Sequence, residues 1–490
     1  MSIKLINSSR LLSLIRSLEL QDVLHELSLQ KNIRIWFVGG LIRDCILDKI
    51  QEPFDFDIIV EPAESTLTIT TSLAEKLKAH YFILDSERNT YRITHPKFQM
   101  DINAIRGKEL IDDLFLRDFS INSISISLEE VCKALQENYS LLPYQDYFGG
   151  VEDLSHKIIR AQNPNSFQDD PLRILRAFRF ASQGLGCIED STFEAMIHEK
   201  SSLNRISTER IRDEFCYLLK NEDSFSTICE MEKSGILEIF FPFLPLFESI
   251  DQTYTSKLQV KQHSLSTLYY LEQILSRVKN NDFPFSKLLS EILSQKFSGQ
   301  RSGFELLKIA CLLHDIGKPF TLTQEEDRLR FFNHEIIGAA KACEWLEFMK
   351  FSTMETLFIR NLIECHMRPH NLSNAEKLTS RAKYRYFRES LHFGIPLLVL
   401  ALADAYATRM IPMGELVEYE SFVREMLVFY SIPAQINPCP YLNGHEIMDI
   451  LGLSPSPRIG QMLEELLELQ SLGQINSKEE AICYVKNKKL

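Results

Sequence analysis

Val38-Gly39-Gly40-Leu41-Ile42-Arg43-Asp44, followed by Asp55-Phe56-Asp57, is the stretch on which the fold turns. The apolar run Ile33 to Val38 reads as a strand ending in two glycines. An Arg-Asp pair follows, and a second strand, Phe54 to Val60, carries two carboxylates two residues apart. Strand side chains alternate, so Asp55 and Asp57 project from one face. Carboxylates placed this way hold Mg²⁺, a hard cation that usually also binds substrate phosphates. Glycines let backbone N–H groups approach a phosphate closely. Together these are the parts of a nucleotidyl-transfer site.

Alone, a Gly-Gly is usually a turn and a D-x-D a solvated strand face. The order strand, Gly-Gly, Arg-Asp, D-x-D, with Ile58-Ile59-Val60 behind it, is more specific. It resembles the polymerase-β-like nucleotidyltransferases, specifically the bacterial tRNA nucleotidyltransferase and poly(A) polymerase family. The resemblance implies an α+β head with a small mixed sheet, in which Asp55 and Asp57 hold two Mg²⁺ ions and Asp101 assists. Gly39, Gly40, Arg43 and Asp44 would bind the nucleotide. Leu116-Arg117-Asp118-Phe119-Ser120-Ile121-Asn122 is similar to the family's R-D-F-T-I-N motif, with Ser120 for Thr and Leu116 where a second Arg is common. Arg117, Asp118 and Asn122 are thereby implied to bind the triphosphate and ribose.

A third block runs Asp169-Asp170-Pro171-Leu172-Arg173, with Arg176 and Arg179 beyond it. Pro171 suits a first helical turn and the preceding Asp a cap. The three arginines, three apart, share about a third of the helix circumference. By itself this is an amphipathic helix with a basic face. The block resembles the family's E-D-x-x-R motif, which implies that Asp170 and Arg173 select the base. Cytosine and adenine both present an amino donor beside a ring-nitrogen acceptor, which a carboxylate and a guanidinium complement. The implied activity is addition of C and/or A, from CTP and ATP, to tRNA 3′ ends. Only fifteen residues, Ile102 to Leu116, separate Asp101 from Arg117. Many CCA-adding relatives carry a longer flexible segment there, which helps switch from C to A. CC-adding, A-adding and complete CCA-adding activities stay open, as does a poly(A) polymerase.

A second constellation comprises His263, His314-Asp315, His334, His366 and Asp404, all in helix-like, apolar-periodic surroundings. It resembles an HD-type phosphohydrolase domain. The resemblance implies a divalent metal on His263, His314, Asp315 and Asp404. His334 and His366 either hold a second metal, contact a phosphate, or are helix-packing residues. Spacing does not choose the metal. An HD hydrolase acting on RNA ends or nucleotides is the alternative function.

With 490 residues, 45% hydrophobic and 25% charged, the chain suits two or more globular domains. The longest apolar run, Phe393 to Ala403, is too short to span a bilayer, and the N-terminus lacks a signal-peptide core. No membrane association is expected. Ten cysteines without a C-x-x-C fit a reduced, cytoplasmic protein. A net charge of −13 disfavours a generic nucleic-acid binder. Basic residues nevertheless concentrate at Arg173 to Arg212 and at Arg368 to Arg388; the second stretch interleaves with Tyr384, Tyr386 and Phe387 and is read either as an RNA contact or as a solvated face. The expected order is a helical lead (1–30, one helix from Leu11 to Gln30), the head (31–150), an all-α neck (151–250), the HD domain (255–410) and a helical, RNA-binding tail (411–490) in which Gly460 lets a helix pack closely. Asn281 to Arg301 is polar enough to contain a loop between helices, and the sequence leaves oligomeric state open.

Overall fold

The computed structural model describes residues 5–50, 52, 54–247, 260–325, 328–436 and 438–488. The chain divides into two compact units, Met1–Glu214 and Phe215–Leu490. The expected boundary between neck and HD domain, 250–255, lies outside the described residues.

In the first unit a six-stranded mixed sheet has the order His80–Asp85, Thr90–His95, Phe98–Ala104, Phe54–Glu61, Arg34–Val38, Ser125–Ser127. The Phe54 and Phe98 strands run parallel, and every other pair is antiparallel. One face is apolar: Phe56, Ile58, Tyr91, Ile93, Met100 and Ile102 are buried. The helix Thr66–Lys76 lies across it and buries Ile69 and Leu73. Each such side chain contributes about 1.5–3 kcal/mol on burial. The opposite face is apolar only at one end, where Trp36, Val38 and Ile59 pack beneath Leu110 and Leu114. Beyond Ile59 the same row continues as Asp57 and Asp55, at the uncovered end.

The expected single N-terminal helix is instead two, Ser9–Ser17 and Gln21–Ser28. Glu19, at φ +57°, turns the chain between them. Ahead of them Leu5–Asn7 pairs with Leu141–Pro143, tying the start of the chain to the end of the head.

The second unit is helical. Gly394–Arg409 is its central element, with every residue from Gly394 to Ala407 buried. A helix apolar on all sides is a core helix. The stretch Ser380–Arg409 is long and apolar enough to cross a membrane, but 83% of its apolar window is buried inside the protein. Around it stand Val260–Lys279, Gly303–Leu313 and Thr353–Cys365, with His334–Phe348 against the last of these. The expected all-helical character is interrupted by a hairpin, Leu322–Glu325 with Arg328–Phe331, and Asn281 to Arg301 contains a helix, Ser286–Leu293. Three C-terminal helices, Gly444–Leu451, Pro457–Ser471 and Lys478–Asn487, share a cluster built on Ile447, Met462, Leu466 and Val485. Gly460 makes no close approach there: a Cβ at that position would meet open space.

Candidate active site

Strand register, not sequence distance, assembles the carboxylates. Asp57 stands opposite Asp101 on the parallel neighbour, and Asp55 is two residues along on the same face. Val38, opposite Asp57 on the other side, is followed by Gly39 at φ +78°. A Cβ on Gly39 would fall 2.4 Å from Asp57 Oδ2 and 3.2 Å from Arg117 Nη1. The glycine is therefore required both by its backbone conformation and by the close approach of the carboxylate. Gly40 opens the helix Gly40–Ile46, which carries Arg43 and Asp44.

A polar chain links the remaining residues. Arg43 Nε donates to Asp44 Oδ1 (2.8 Å) and Nη1 to Asn122 Oδ1 (2.9 Å). Asn122 Nδ2 donates to Asp118 Oδ1 (2.9 Å), which also accepts from the Phe119 amide (2.8 Å). Arg176 grips Asp118 Oδ2 through Nε (2.8 Å) and Nη2 (2.6 Å). Both Asp118 oxygens are thus committed to orienting other groups. Arg43, Arg176 and Arg179 all stand over the Phe180 ring, at 5.2, 5.3 and 4.8 Å from its centroid. The helix Arg173–Ser182 carries Arg176, Arg179 and Phe180, and Asp170 Oδ1 accepts from the Leu172 amide just before its start (3.2 Å).

Two cavities meet here. One, about 440 Å³, is lined by Gly39, Gly40, Arg43, Asp55, Asp57 and Arg179 among others. The other, about 340 Å³, reaches Asp170, Arg173 and Arg210. Asp57, Asp101, Arg117, Asp118 and Arg176 line both. The two base-selecting candidates share the second cavity but face different partners. Asp170 Oδ2 meets Arg210 (3.1 Å), whereas Arg173 donates to Leu116 O (2.7 Å) and Ser166 Oγ (2.8 Å).

The electrostatics separate two kinds of aspartate. Asp57 is pushed up to about 6, first by burial and then by Asp55 and Asp101, against the pull of Arg117. Asp55 is raised for the same reasons, burial and Asp101, with Arg92 opposing. Crowded, partly desolvated carboxylates of one sign form a site that a cation relieves. Asp118 behaves oppositely: burial alone would raise it, but the Arg176 charge and the bonds from Asn122, Arg176 and Phe119 hold it below the usual carboxylate range. Its charge is permanent and structural.

Three partners were not foreseen. Arg92 holds both oxygens of Asp101 (2.7 Å each). The Pro96-Lys97 turn between two strand-like runs was the available signal, since a tight hairpin there pairs residues 92 and 101. Asp113, 1% exposed, binds Arg106 through Nε (2.9 Å) and lies 3.6 Å from Arg117 Nε. Glu214 meets Arg179 at 3.2 Å. No local pattern marks either residue.

The second unit gathers the other constellation. His263, His314 and Asp404 form one group whose ligand atoms lie within 4.8 Å of one another; Asp315, His334 and His366 form another. All six are buried. Asp315 joins them: Oδ2 lies 3.5 and 3.3 Å from the Nε2 atoms of His263 and His314, and Oδ1 lies 3.5 and 3.8 Å from those of His334 and His366. Nδ1 of His314, His334 and His366 each lies 2.7–2.8 Å from a backbone carbonyl, of Cys311, Phe331 and Ile363. A proton placed there leaves the Nε2 lone pairs converging on the cluster, the arrangement of metal-binding imidazoles. His334 and His366 stand in the same cluster as the other four residues, and His334 opens the helix that follows the hairpin.

The second basic stretch is paired within its unit. Arg381 and Arg385 meet Glu468, Lys383 meets Glu425 and Arg368 meets Glu389. Tyr384, Tyr386 and Phe387 are buried.

Comparison with known proteins agrees with both constellations. A Poly A polymerase head domain matches residues 35–160, a "Probable RNA and SrmB- binding site of polymerase A" residues 187–247, and an HD domain residues 260–409. An A-adding tRNA nucleotidyltransferase from Deinococcus radiodurans is 30% identical over 458 residues, covering 91% of this chain and 94% of that protein. A CC-adding tRNA nucleotidyltransferase from Thermus thermophilus is 26% identical, covering 91% and 92%. The fold is similar to that of the Thermotoga maritima CCA-adding enzyme, solved with tRNA, at TM-score 0.64 and 19% identity over 99% of each chain. This chain therefore belongs to the tRNA nucleotidyltransferase and poly(A) polymerase family, with an HD domain in its second half.

Proposed function

We propose that the chain adds C and/or A, from CTP or ATP, to tRNA 3′ ends. The RNA 3′-oxygen attacks the α-phosphorus, the bond to the β-phosphate oxygen breaks, and pyrophosphate leaves. The observation that carries this reading is the row Asp55, Asp57 and Asp101 on one sheet face beside Gly39. The elevated Asp55 and Asp57 would hold Mg²⁺. When bound, that metal activates the 3′-hydroxyl and stabilises the departing phosphates.

The chain's own groups do the positioning. Gly39 and Gly40 leave room for the triphosphate, and Arg43, Arg117, Arg176 and Arg179 offset its charge. Asp118 acts by holding Arg176 and Asn122 in place. Asp170 and Arg173 read the amino and ring-nitrogen pair of cytosine or adenine. A wrong base leaves buried polar groups unpaired, at about 1–3 kcal/mol each. The head (31–150) and neck (151–250) carry this activity, and the tail (411–490) serves RNA binding. Ten free cysteines fit a cytoplasmic setting.

The test is single-nucleotide incorporation with Mg²⁺ on transcripts ending at the discriminator base, after CC and after CCA, each offered CTP, ATP or both. CC addition that stops, A addition only to the CC end, and full CCA addition separate the three specificities. Long A-tails on any RNA identify a poly(A) polymerase. No incorporation overturns the reading.

The six-residue cluster favours a second activity at 255–410, metal-dependent hydrolysis of phosphate esters on RNA ends or nucleotides. Asp315, facing both groups of ligands, supports two adjacent metal positions there.

A further inference from the structure

The carboxylate face of the sheet continues past Asp101. Asp57 pairs with Asp101, Asp101 with Arg92, and Arg92 with Phe82. Opposed residues on neighbouring strands share a face. Phe82 therefore stands on the carboxylate face two strands outward from Asp101, roughly 10 Å away at about 4.8 Å per strand. The adjacent row reads Asp55, Gln99, Thr94 and His80. Burial agrees with this assignment, since Tyr91 and Ile93, on the other face, are core residues.

The outermost strand, His80–Asp85, is unusual. Edge strands are normally blunted by Lys, Pro or short length. This one carries Tyr81-Phe82-Ile83-Leu84, all four exposed, with Phe82 at 56% and Ile83 at 61%. Tyr81, on the core side, packs against Tyr91 with centroids 6.5 Å apart. Phe82 projects over the open face instead.

The sheet also has a polarity. The glycines and Arg43 follow the Arg34–Val38 strand, on one flank of Asp55 and Asp57. Asp101, Arg92 and Phe82 extend along the other flank. Triphosphate-binding groups occupy the first flank, and the cavity holding Asp170 and Arg173 reaches the second flank at Thr90 and Asn103. The side of Asp101 toward Arg92 and Phe82 is left for the strand being extended.

We propose that Phe82 is a stacking platform for the base of the acceptor RNA's 3′-terminal nucleotide, a role that rests on the nucleotidyl-transfer reading above. The 3′-hydroxyl must reach the carboxylates, and its own base then extends about one nucleoside outward across Arg92. Aromatic stacking tolerates any base because every base has a π-face. That suits an acceptor whose last base changes as residues are added. It also gives a use to the one phenyl ring that the exposed edge strand presents on the carboxylate face.

The test uses the full chain in single-turnover incorporation, with RNA varied at saturating nucleotide. Phe82→Ala should weaken RNA binding roughly 5- to 150-fold and leave the nucleotide KM unchanged. Phe82→Trp should restore binding. On a transcript whose last nucleotide is abasic, wild type and Phe82→Ala should bind equally weakly. Equal binding of wild type and Phe82→Ala on the intact transcript overturns the proposal, as does a difference that persists on the abasic one. A change of sedimentation mass in Phe82→Ala with unchanged kinetics would make the edge a contact between copies of this chain, and the proposal falls. Wild type that incorporates nothing sinks the nucleotidyl-transfer reading itself, which separates the two failures.

Discussion

The two constellations treat aspartate in opposite ways. In the first unit, Asp55 and Asp57 crowd one another on an open sheet face, and burial and mutual repulsion raise both. In the second, Asp315 and Asp404 are fully enclosed yet held well below the usual range: burial pushes each upward, but imidazoles, and Lys318 for Asp315, outweigh it. Lys318 Nζ lies 2.6 Å from Asp315 Oδ2. In the first site burial and carboxylate repulsion outweigh the nearby arginines at Asp55 and Asp57, and the site opens onto two cavities that a nucleotide can enter. The second supplies Lys318 and a set of buried imidazoles around its carboxylates. Carboxylate number does not define a metal site; what matters is which charges the fold supplies and which it leaves to the ligand.

The largest effect that probes this contrast is loss of the open carboxylates. Asp55→Ala or Asp57→Ala should lower nucleotide addition by roughly 10³-fold or more, since metal-assisted charge stabilisation goes with them. The fold and the metal content of the second unit should be retained. Retained incorporation removes the catalytic assignment. The mirror experiment is Asp315→Ala. It should spare nucleotide addition while abolishing any metal-dependent phosphatase activity and reducing bound metal, counted by elemental analysis. If both activities vanish together, the second cluster is a structural element rather than an independent site.

A finer test is pH. Asp57 moves from 3.8 to about 6 on folding, so the folded protein binds its proton more tightly. That contribution favours folding below about pH 4 and is lost as pH rises through 6. Asp118 has the reverse sign: its folded value lies below 3.8, so its contribution is present above that value and lost as pH falls. Asp57→Asn should therefore stabilise the metal-free protein at pH 8 by about 1–3 kcal/mol while abolishing activity. Saturating Mg²⁺ should stabilise wild type and not the variant. Equal melting of the two proteins at pH 8 without metal would show that the carboxylate crowding carries no cost.

The same contrast explains what the sequence could and could not disclose. Gly39, Asp55 and Asp57 were legible because their signal is local: a turn, a strand period, a spacing of two. His314-Asp315 was legible as an adjacent pair. The partners of these groups were not. Asp113 and Glu214 are ordinary acids in helical runs, and only packing brings them to Arg106 and Arg179. His334 was legible too, but the hairpin ahead of it, Leu322–Glu325 with Arg328–Phe331, was not, because strands of four residues are too short for a period to show. Basic runs mislead for a related reason. Taken alone, Arg173, Arg176 and Arg179 read as one solvated face, yet each is oriented by a partner: Arg176 by Asp118, Arg179 by Glu214, and Arg173 by the carbonyl of Leu116.

The smallest expected effect concerns the basic stretch of the second unit. Arg381 and Arg385 both reach Glu468, and these pairs are largely solvent-exposed on the arginine side. Exposed pairs of this kind contribute under about 1 kcal/mol. Arg381→Ala combined with Arg385→Ala should thus barely move the melting temperature. The informative readout is RNA binding as salt is raised. Each phosphate contact adds about one unit to the slope of log affinity against log salt, so removing two contacts lowers it by about two. Because Glu468 already takes both guanidinium groups and the neighbouring aromatics are buried, the slope should not change. A slope reduced by two would mean that RNA displaces Glu468, and would extend the nucleic-acid surface from the open sheet of the first unit to the helices of the second.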